Sequence, residues 1–201
     1  FVGEKLSIIT SKAQTTRHRI LGIVNGTDFQ VVFSDTPGII KPSYEMQNSM
    51  MNFVKESLKD ADIIIYMVTA GDENLKDQKL LNQIKKTKSP LFVLINKIDK
   101  STQKLVEKKV SYWKTIFPLA NVYPISALNG FFISEVFYSI KELIPNSPAY
   151  FPKDQITDKP ERFFVNESIR KQILQRYKNE IPYSVEVITE EFKESSKIIK
   201  I

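Results

Sequence analysis

The sequence predicts a doubly wound α/β domain followed by the beginning of a second, smaller domain. Short apolar runs alternate with amphipathic helical patterns over the first two thirds of the 201 residues. These runs are apolar on both faces, which is typical of parallel strands covered by helices. A stretch with several prolines then separates this region from a new helical pattern. We find no internal repeat.

Four buried strands are predicted from short runs of β-branched and aromatic residues. These runs are Gln30–Phe33, Ile63–Val68, Leu91–Ile95 and Val122–Ile125. An earlier segment, His18–Val24, is expected to pair with Phe29–Ser34, because Asn25-Gly26 between them is a hairpin-type turn.

Helices are predicted between these strands, where apolar residues recur at helical spacing. The predicted apolar faces consist of Met46, Met50, Phe53, Val54 and Leu58, then Leu80, Leu81 and Ile84, then Val106, Val110, Trp113 and Phe117, and finally Val136, Phe137, Ile140 and Leu143. Trp113 is therefore expected in the core. The order strand, helix, strand, helix is that of a doubly wound α/β domain.

Three segments are predicted: an α/β domain at residues 1–146, a linker at 147–159 and a partial second domain at 160–201. The second domain is expected to open with a helix whose N-cap is Asp158 and whose first turn contains Pro160. Its predicted buried face is Phe163, Ile169, Ile173 and Tyr177, its predicted end is Pro182, and the predicted strands that follow are Tyr183–Thr189 and Lys197–Ile201.

Composition excludes several kinds of site. There is no cysteine, so disulfides, thiolate catalysis and zinc–thiolate centres are excluded, and a single histidine argues against a histidine-based metal site. No run of about 18 apolar residues occurs, and the start lacks the pattern of a secretory signal. We expect a cytoplasmic protein. Because the sequence does not begin with methionine, we expect it to be a fragment or a trimmed chain.

The formal net charge of +6 favours an anionic partner such as nucleic acid. Residues 146–201 hold ten basic and nine acidic residues, so charge alone does not place that partner on the second domain. The run Lys85-Lys86-Thr87-Lys88 could attract RNA, but we favour a solvated helix end that the macrodipole stabilises. His18 is interpreted as an ordinary surface histidine rather than a phosphate ligand.

Asp35-Thr36-Pro37-Gly38 follows directly on a predicted strand. Ligands of a doubly wound sheet bind beyond the carboxyl ends of its strands. An acidic residue there can hold Mg²⁺, usually through water, and a glycine lets a backbone N–H approach a phosphate oxygen. The alternative is a plain Pro-Gly turn.

Asn96-Lys97-Ile98-Asp99 follows the strand next but one. Guanine offers two adjacent donors that one carboxylate can accept, and adenine has no such pair on that edge, so Asp99 would select guanine. Asn96 would hold neighbouring loops together and the Lys97 stem would lie along the base. The motif alone is moderate evidence, because three fixed residues recur by chance in chains of this length.

Ser126-Ala127 follows the last predicted strand. The backbone N–H of Ala127 could approach the guanine carbonyl oxygen, with Ser126 supporting the loop. Alone, this pair is better interpreted as an ordinary helix-entry loop. The three motifs together are more specific, because they occur in order, each at the end of its own strand.

In this order, and spaced 61 and 30 residues apart, the motifs resemble those of the translation-factor-related GTPases. Within that group the chain is most similar to the bacterial Era-type GTPases. The stretch 12–19 resembles their first switch region, and residues 154–158 and 183–185 resemble their linker and RNA-binding half. The resemblance covers essentially the whole chain.

This resemblance implies a cytoplasmic GTP hydrolase that binds the 3′ end of small-subunit rRNA and assists assembly of the 30S ribosomal subunit. It implies a P-loop-type GTPase domain followed by the first helix and two strands of a type II KH domain. GTP or GDP and Mg²⁺ are the implied ligands. No DNA partner is implied, and peripheral association with the inner membrane is a further expectation.

The resemblance also assigns roles to individual residues. Thr16, with Thr15 as the alternative, would coordinate Mg²⁺ from the first switch. Asp35 would contact Mg²⁺, Thr36 and Pro37 would belong to the second switch, and Gly38 would contact the γ-phosphate. Guanine would be read by Asn96, Lys97 and Asp99, helped by Ser126 and Ala127.

Two departures from the usual GTPase pattern bear on activity. Ile39 stands where many GTPases place a water-orienting glutamine, so no catalytic residue is assigned. Neither the phosphate-binding Gly-x-x-x-x-Gly-Lys-Ser/Thr loop, expected before Phe1, nor the Gly-x-x-Gly loop of a KH domain occurs in the sequence. The alternative for these residues is therefore a non-hydrolysing interaction module or a pseudo-GTPase scaffold.

Overall fold

The computed structural model describes residues 1–10, 15–40, 42–71, 78–178, 181–195 and 199–201. Its strands are β1 (Ile20–Asn25), β2 (Gln30–Asp35), β3 (Ile64–Thr69), β4 (Leu91–Asn96), β5 (Asn121–Pro124), β6 (Lys193–Glu194) and β7 (Ile199–Lys200). Its helices are α1 (Glu45–Asp60), α2 (Gln78–Lys86), α3 (Gln103–Ile116), α4 (Ile133–Lys141), α5 (Glu161–Arg176) and α6 (Ile181–Ser184). A 3₁₀ turn spans Ile98–Lys100.

The chain forms two compact units, which we describe separately. The first unit consists of Phe1 and the described residues within 39–41 and 55–149. The second unit consists of those within 2–38, 42–54 and 150–201. These units do not follow the predicted division at residues 146 and 159, and that division into domains stays a prediction.

The first unit is built on the parallel sheet β3-β4-β5. The central strand, β4, is apolar on both faces, and its residues Phe92–Ile95 are fully buried. Trp113 of α3 lies in the core, edge-on to Tyr66 at 5.4 Å and stacked on Phe117 at 6.0 Å between ring centroids. The predicted strands, the helices between them and the core position of Trp113 are confirmed.

The second unit contains the predicted hairpin, in which β1 and β2 pair antiparallel with Asn25 opposite Gln30. The turn is closed by a hydrogen bond of 2.9 Å that the Gly26 N–H donates to the Phe29 carbonyl. A Cβ atom on Gly26 would lie 2.1 Å from the Phe29 ring. Glycine is therefore required at this turn by the close approach of an aromatic side chain.

The predicted linker lies against the outer edge of β1. Ile23 N–H donates to the Ile156 carbonyl at 2.8 Å, Leu21 N–H donates to Asp158 Oδ1 at 2.9 Å, and the Asn25 amide donates to the Gln155 carbonyl at 3.2 Å. The prediction that Asp158 caps α5 is therefore wrong: its carboxylate accepts from β1, and the N-cap is Pro160.

The predicted buried face of α5 is only partly right. Its buried residues are Glu167, Arg170 and Leu174, whereas Ile169 and Tyr177 are about half exposed. The buried Glu167 and Arg170 are paired with each other, and Arg170 also donates to the distant Thr15 carbonyl, which apolar periodicity does not report.

The end of α5 also differs from the prediction. The helix ends at Arg176, and Ile181–Ser184 forms a separate helical turn, so Pro182 does not end α5 and Tyr183–Thr189 is not a strand. A short antiparallel pair is formed by Lys193–Glu194 and Ile199–Lys200. The second of these lies within the predicted strand Lys197–Ile201, of which residues 197 and 198 are outside the described residues. No helix in the described ranges is both long and apolar enough to cross a membrane.

Candidate functional site

In the first unit, the loops after β4 and β5 are joined by the side chain of Asn96. Its Oδ1 accepts hydrogen bonds from the backbone N–H of Lys97 at 2.7 Å and of Ala127 at 3.1 Å. Lys97 has the left-handed φ of 62°, which turns the chain sharply into the 3₁₀ turn that carries Asp99. The hydrogen bond from Ala127 joins the two loops, as predicted for Asn96, and the one from Lys97 lies within the loop after β4.

Ser126 fixes the carboxylate of Asp99. Ser126 is 2% exposed, and its hydroxyl donates to Asp99 Oδ1 at 2.6 Å. The same hydroxyl accepts the N–H of Asn129 at 3.3 Å, and the backbones of Ser126 and Phe131 exchange hydrogen bonds of 3.3 and 3.1 Å. Asp99 is therefore oriented from behind by a loop that is itself closed.

The carboxylate of Asp99 can accept further hydrogen bonds. Asp99 is exposed, and among the described residues only Ser126 donates to its carboxylate. Each carboxylate oxygen has two acceptor sites, so the pair of oxygens can still accept two adjacent donors. This is the arrangement that recognition of a guanine edge requires.

Two contacts of Asn96 lie outside the predicted motifs. Its backbone carbonyl accepts the N–H of Ala70 at 3.0 Å, and its amide lies 3.7 Å from the Met67 sulfur. Met67 lies in β3 and Ala70 directly follows that strand, which carries none of the predicted motifs. Only the parallel pairing of β3 with β4, which sets Thr69 opposite Asn96, brings them here.

In the second unit, Asp35 ends β2, where its carboxylate accepts a hydrogen bond from the Ser7 hydroxyl at 2.5 Å. Partial desolvation raises the pKa of Asp35 above its usual range, and the hydrogen bonds from Ser7 and from the Thr36 N–H oppose that rise. The side chain remains solvent-accessible, so water screens the effect. A cation beside Asp35 would stabilise its charged form.

Pro37 and Gly38 follow with contrasting surroundings. Pro37 is fully buried and anchors the segment. Gly38 is exposed, has no positive φ, and a Cβ atom there would meet no protein atom within 4 Å. Neither backbone conformation nor packing against the described residues requires glycine at this position.

The predicted first switch is held by arginines. Arg170 of α5 donates to the carbonyl of Thr15 at 2.7 Å, and the Thr15 hydroxyl lies 2.8 Å from that of Thr10. Arg17 donates to the carbonyls of Tyr183 at 2.9 Å and Val185 at 2.8 Å. Thr16 lies between these two anchor points and is half-buried. Residues 11–14 of the predicted switch are outside the described residues.

Arg170 belongs to a buried ion pair. Its Nε and Nη2 donate to the two carboxylate oxygens of Glu167 at 2.8 and 2.6 Å, and Arg170 is 3% exposed. Burial, and then the nearby charge of Arg170, lower the pKa of Arg17. Sequence reasoning missed Ser7, Glu167 and Arg170, because no motif marks a residue whose partner is distant in the chain.

The predicted site residues thus fall into two groups. The structure brings Asn96, Lys97, Asp99, Ser126 and Ala127 together in the first unit, and it places Thr15, Thr16 and Asp35–Gly38 in the second unit. Ile39 belongs to the first unit and carries no group that could orient water.

Comparisons with known proteins identify the family. Residues 1–97 match the model of a family described as 50S ribosome-binding GTPase. The GTPase Era of Clostridium kluyveri is 40% identical over 197 residues, which cover 98% of this chain and 67% of that protein. The GTPase Era of Clostridium beijerinckii is 39% identical over 187 residues, which cover 92% of this chain and 63% of that protein.

Two solved structures share the fold at a TM-score of 0.90. One is Era in complex with MgGDPNP and nucleotides 1506–1542 of 16S ribosomal RNA, at 35% identity over 96% of this chain and 67% of that chain. The other is an Aquifex aeolicus Era variant bound to GDP·AlF₄⁻, at 36% identity and the same coverage.

This chain spans about two thirds of the length of the curated relatives it matches, between 63% and 67%. The predicted fold class, a P-loop-type GTPase domain followed by the start of a KH domain, agrees with these matches. On the identity and coverage of these relatives, the chain belongs to the Era family of GTPases.

Proposed function

We propose that this chain belongs to a protein that binds and hydrolyses GTP, binds small-subunit rRNA and assists biogenesis of the 30S subunit. The observation that carries the proposal is the bond of 2.6 Å from buried Ser126 to Asp99, within a loop that Asn96 ties to Ala127. MgGDPNP and GDP·AlF₄⁻ are bound by the two solved relatives, which supports GTP or GDP and Mg²⁺ as ligands.

Guanine recognition would use Asp99, with the base lying along the Lys97 stem. The N1–H and the exocyclic amine of guanine would donate to the carboxylate that Ser126 orients. The Ala127 N–H already donates to Asn96 Oδ1 at 3.1 Å, so its proposed contact with the guanine carbonyl oxygen would be a shared hydrogen bond. Adenine, which lacks the donor pair, would offer no base donor to the acceptor positions of Asp99 that Ser126 leaves open.

Mg²⁺ fits the oxygen donors of the second unit. Mg²⁺ sites beside nucleotides commonly use one or two carboxylates, with hydroxyls, water and phosphate completing the coordination. Asp35 would supply the carboxylate, and Thr16, or Thr15 as the alternative, would supply the hydroxyl. Within the described ranges no cluster of three or more His, Cys, Asp or Glu offers a competing metal site. Bound Mg²⁺ would offset negative charge on the phosphates.

The environment of Gly38 supports a contact with the γ-phosphate. No atom of the described residues would lie within 4 Å of a Cβ atom at this position, so the missing side chain leaves room that a phosphate oxygen could occupy. The backbone N–H of Gly38 would then be the donor. Catalysis in phosphoryl transfer of this kind rests mainly on positioning and charge stabilisation.

Binding of rRNA and a role in 30S assembly are proposed from the family. The solved relative in complex with nucleotides 1506–1542 of 16S ribosomal RNA supports an rRNA partner. A cytoplasmic location is part of the proposal. The peripheral membrane association expected from the resemblance has no support in these comparisons.

GTP turnover tests the proposal. The 201 residues contain no Gly-x-x-x-x-Gly-Lys-Ser/Thr, so we assign hydrolysis to the whole protein and expect the 201-residue chain alone to bind GTP weakly. We expect Mg²⁺-dependent hydrolysis by the full-length protein and none by the 201 residues. Absence of turnover in the full-length protein would favour the pseudo-GTPase scaffold instead.

A further inference from the structure

Positive charge is concentrated in one part of the first unit. Residues 78–120 contain ten lysines and two acidic residues, Asp99 and Glu107, for a net charge of +8. The whole chain has a net charge of +6, so the other residues together carry −2. The positive excess of this protein therefore belongs to α2, α3 and the loops around them.

Six exposed lysines of this region lie on two neighbouring helices or directly after the first of them. We define the α2–α3 basic face as Lys85, Lys86, Lys88, Lys104, Lys108 and Lys114, all of which are exposed. Lys85 lies 5.9 Å above the ring of Phe117, which brings the end of α2 beside the end of α3. The acidic residue of α3, Glu107, is already hydrogen-bonded by Gln103 at 2.8 Å.

A contribution to helix stability does not explain the positions of all these lysines. The macrodipole favours cations in the last turn of a helix, which accounts for Lys85 and Lys86 in α2. Lys104 lies in the first turn of α3, which has no acidic residue, and there the macrodipole disfavours a cation. Lys108 follows Lys104 at the i,i+4 spacing, where like charges repel. These two lysines therefore weaken the helix that carries them, and an anionic partner would offset that cost.

We propose that the α2–α3 basic face binds the phosphodiester backbone of RNA, at a site separate from the second unit. The 14 residues of α3 extend over about 21 Å at 1.5 Å per residue. A helix of this length can lie along the backbone of a nucleic acid and reach several successive phosphates. Such a contact depends on the charge of the phosphates and does not distinguish one base from another.

Lipid is the weaker fit for this face. A helix that lies on a membrane inserts an apolar face between the lipids. In α3, Trp113 is instead part of the core at 5% exposure, and Leu105, Val106, Val110 and Ile116 are half-buried. The outward positions between the lysines are the polar Ser111 and Thr115. Tyr112, 39% exposed, adds an aromatic surface at the margin of the face on which an unpaired base can stack.

A salt titration with matched lysine variants of the full-length protein tests this proposal. The variant K104Q/K108Q removes two charges from the basic face, and K55Q/K59Q removes two exposed charges from α1 in the same unit. The probe is a short RNA duplex of unrelated sequence. For K104Q/K108Q we expect an affinity about tenfold lower near 0.1 M salt, and a slope of log K against log salt that is smaller by about 2. K55Q/K59Q should match the parent protein.

Other outcomes would overturn the proposal. Equal losses in the two variants would show a general charge effect, and an unchanged salt slope would show no phosphate contact. A loss of binding to phosphatidylglycerol vesicles without a loss on RNA would assign the face to lipid. Folding is checked by thermal unfolding, which exposed Lys→Gln changes should leave nearly unaltered. The inference does not depend on GTP turnover, so a failure of the GTPase proposal would appear in the turnover assay and not in this titration.

Discussion

The two groups of predicted site residues are held in opposite ways. In the first unit, Asp99, Ser126, Asn96 and Ala127 are joined by hydrogen bonds that span 27 and 31 residues along the chain. In the second unit, the anchors of the predicted first switch, Arg17 and Arg170, reach partners that are 155 to 168 residues away. The first group is positioned by the ends of adjacent strands, and the second group is positioned by contacts with the C-terminal segment.

This difference indicates which mutations should affect base recognition and which should affect the predicted switch. Loops at the ends of paired parallel strands are positioned by the sheet itself, so base recognition should tolerate changes in the C-terminal segment. The conformation around Thr16 depends on α5 and on residues 183–185. Changes in that segment should therefore alter the switch before they alter base recognition.

The largest expected effect is on the long-range anchor. Arg170→Met leaves the carboxylate of Glu167 buried without its partner, and breaking a buried ion pair in this way costs about 3–5 kcal/mol of unfolding free energy. Urea titration followed by far-UV circular dichroism measures the loss. The double variant Glu167→Gln/Arg170→Met should lose less, because no buried charge is left unpaired. Equal losses in the single and double variants would contradict this account.

The next largest effect concerns base choice. Asp99→Asn replaces one carboxylate oxygen by an amide donor, so we expect GTP affinity of the full-length protein to fall by about 2–3 kcal/mol. Calorimetric titration measures the change, and Asp62→Asn, an exposed aspartate of the same unit, is the control. If GTP affinity does not change, Asp99 does not contact the base. Xanthosine triphosphate, which has a carbonyl in place of the exocyclic amine, should bind the variant better than GTP does.

A smaller effect should come from the residue behind Asp99. Ser126→Ala removes the bond of 2.6 Å that orients the carboxylate, and we expect GTP affinity to fall by about 1 kcal/mol. Ser139→Ala removes a bond of 2.8 Å to Tyr123 in the same unit and should leave GTP affinity unchanged. A similar loss in both variants would indicate general destabilisation rather than loss of orientation.

The smallest expected effect is the pH dependence that Asp35 gives to the free energy of unfolding. Partial desolvation raises the pKa of this residue. A raised folded-state pKa means that the contribution of Asp35 to stability is fully present below its unfolded pKa of 3.8 and is lost as pH rises through the folded value. Asp35→Asn should therefore be slightly more stable than the parent at pH 7 and equal to it below about pH 4. Urea titrations across this pH range show the difference. A parent protein that is the more stable one at pH 7 would contradict the raised pKa.

Sequence periodicity predicted the strands and helices of the first unit, and it predicted the C-terminal part of the second unit much less well. The strands ending at Thr69, Asn96 and Pro124 were predicted because a buried parallel strand is apolar on both faces. The residues proposed to read guanine follow such strands and could be placed by that rule alone. The hydrogen bonds from Ser126 to Asp99 and from Ala127 to Asn96 agree with loops held together at this edge of the sheet, and the contacts of these residues with nucleotide stay a proposal.

The second unit shows why the rest could not be predicted. Asp158 has the sequence context of an N-cap, yet it accepts from Leu21, 137 residues earlier. Arg170 and Glu167 occupy the buried face of α5 because their charges are paired with each other and with the Thr15 carbonyl. Such long-range bonds leave no periodic signal, so a pattern based on apolar residues selected Ile169 and Tyr177 instead.

The segment that lies along β1 has a consequence for solubility. The backbone N–H groups of Leu21 and Ile23 would otherwise be open donors on the edge of a two-stranded sheet, and Asp158 and Ile156 accept them. The side-chain amide of Asn25 adds a third bond to the same segment. An uncovered edge is a template on which a second chain can add a strand. Replacing these residues with a generic glycine–serine tether would therefore leave the hairpin able to pair between molecules. Here the connecting peptide acts as a built-in guard against aggregation, and its sequence matters as much as its length.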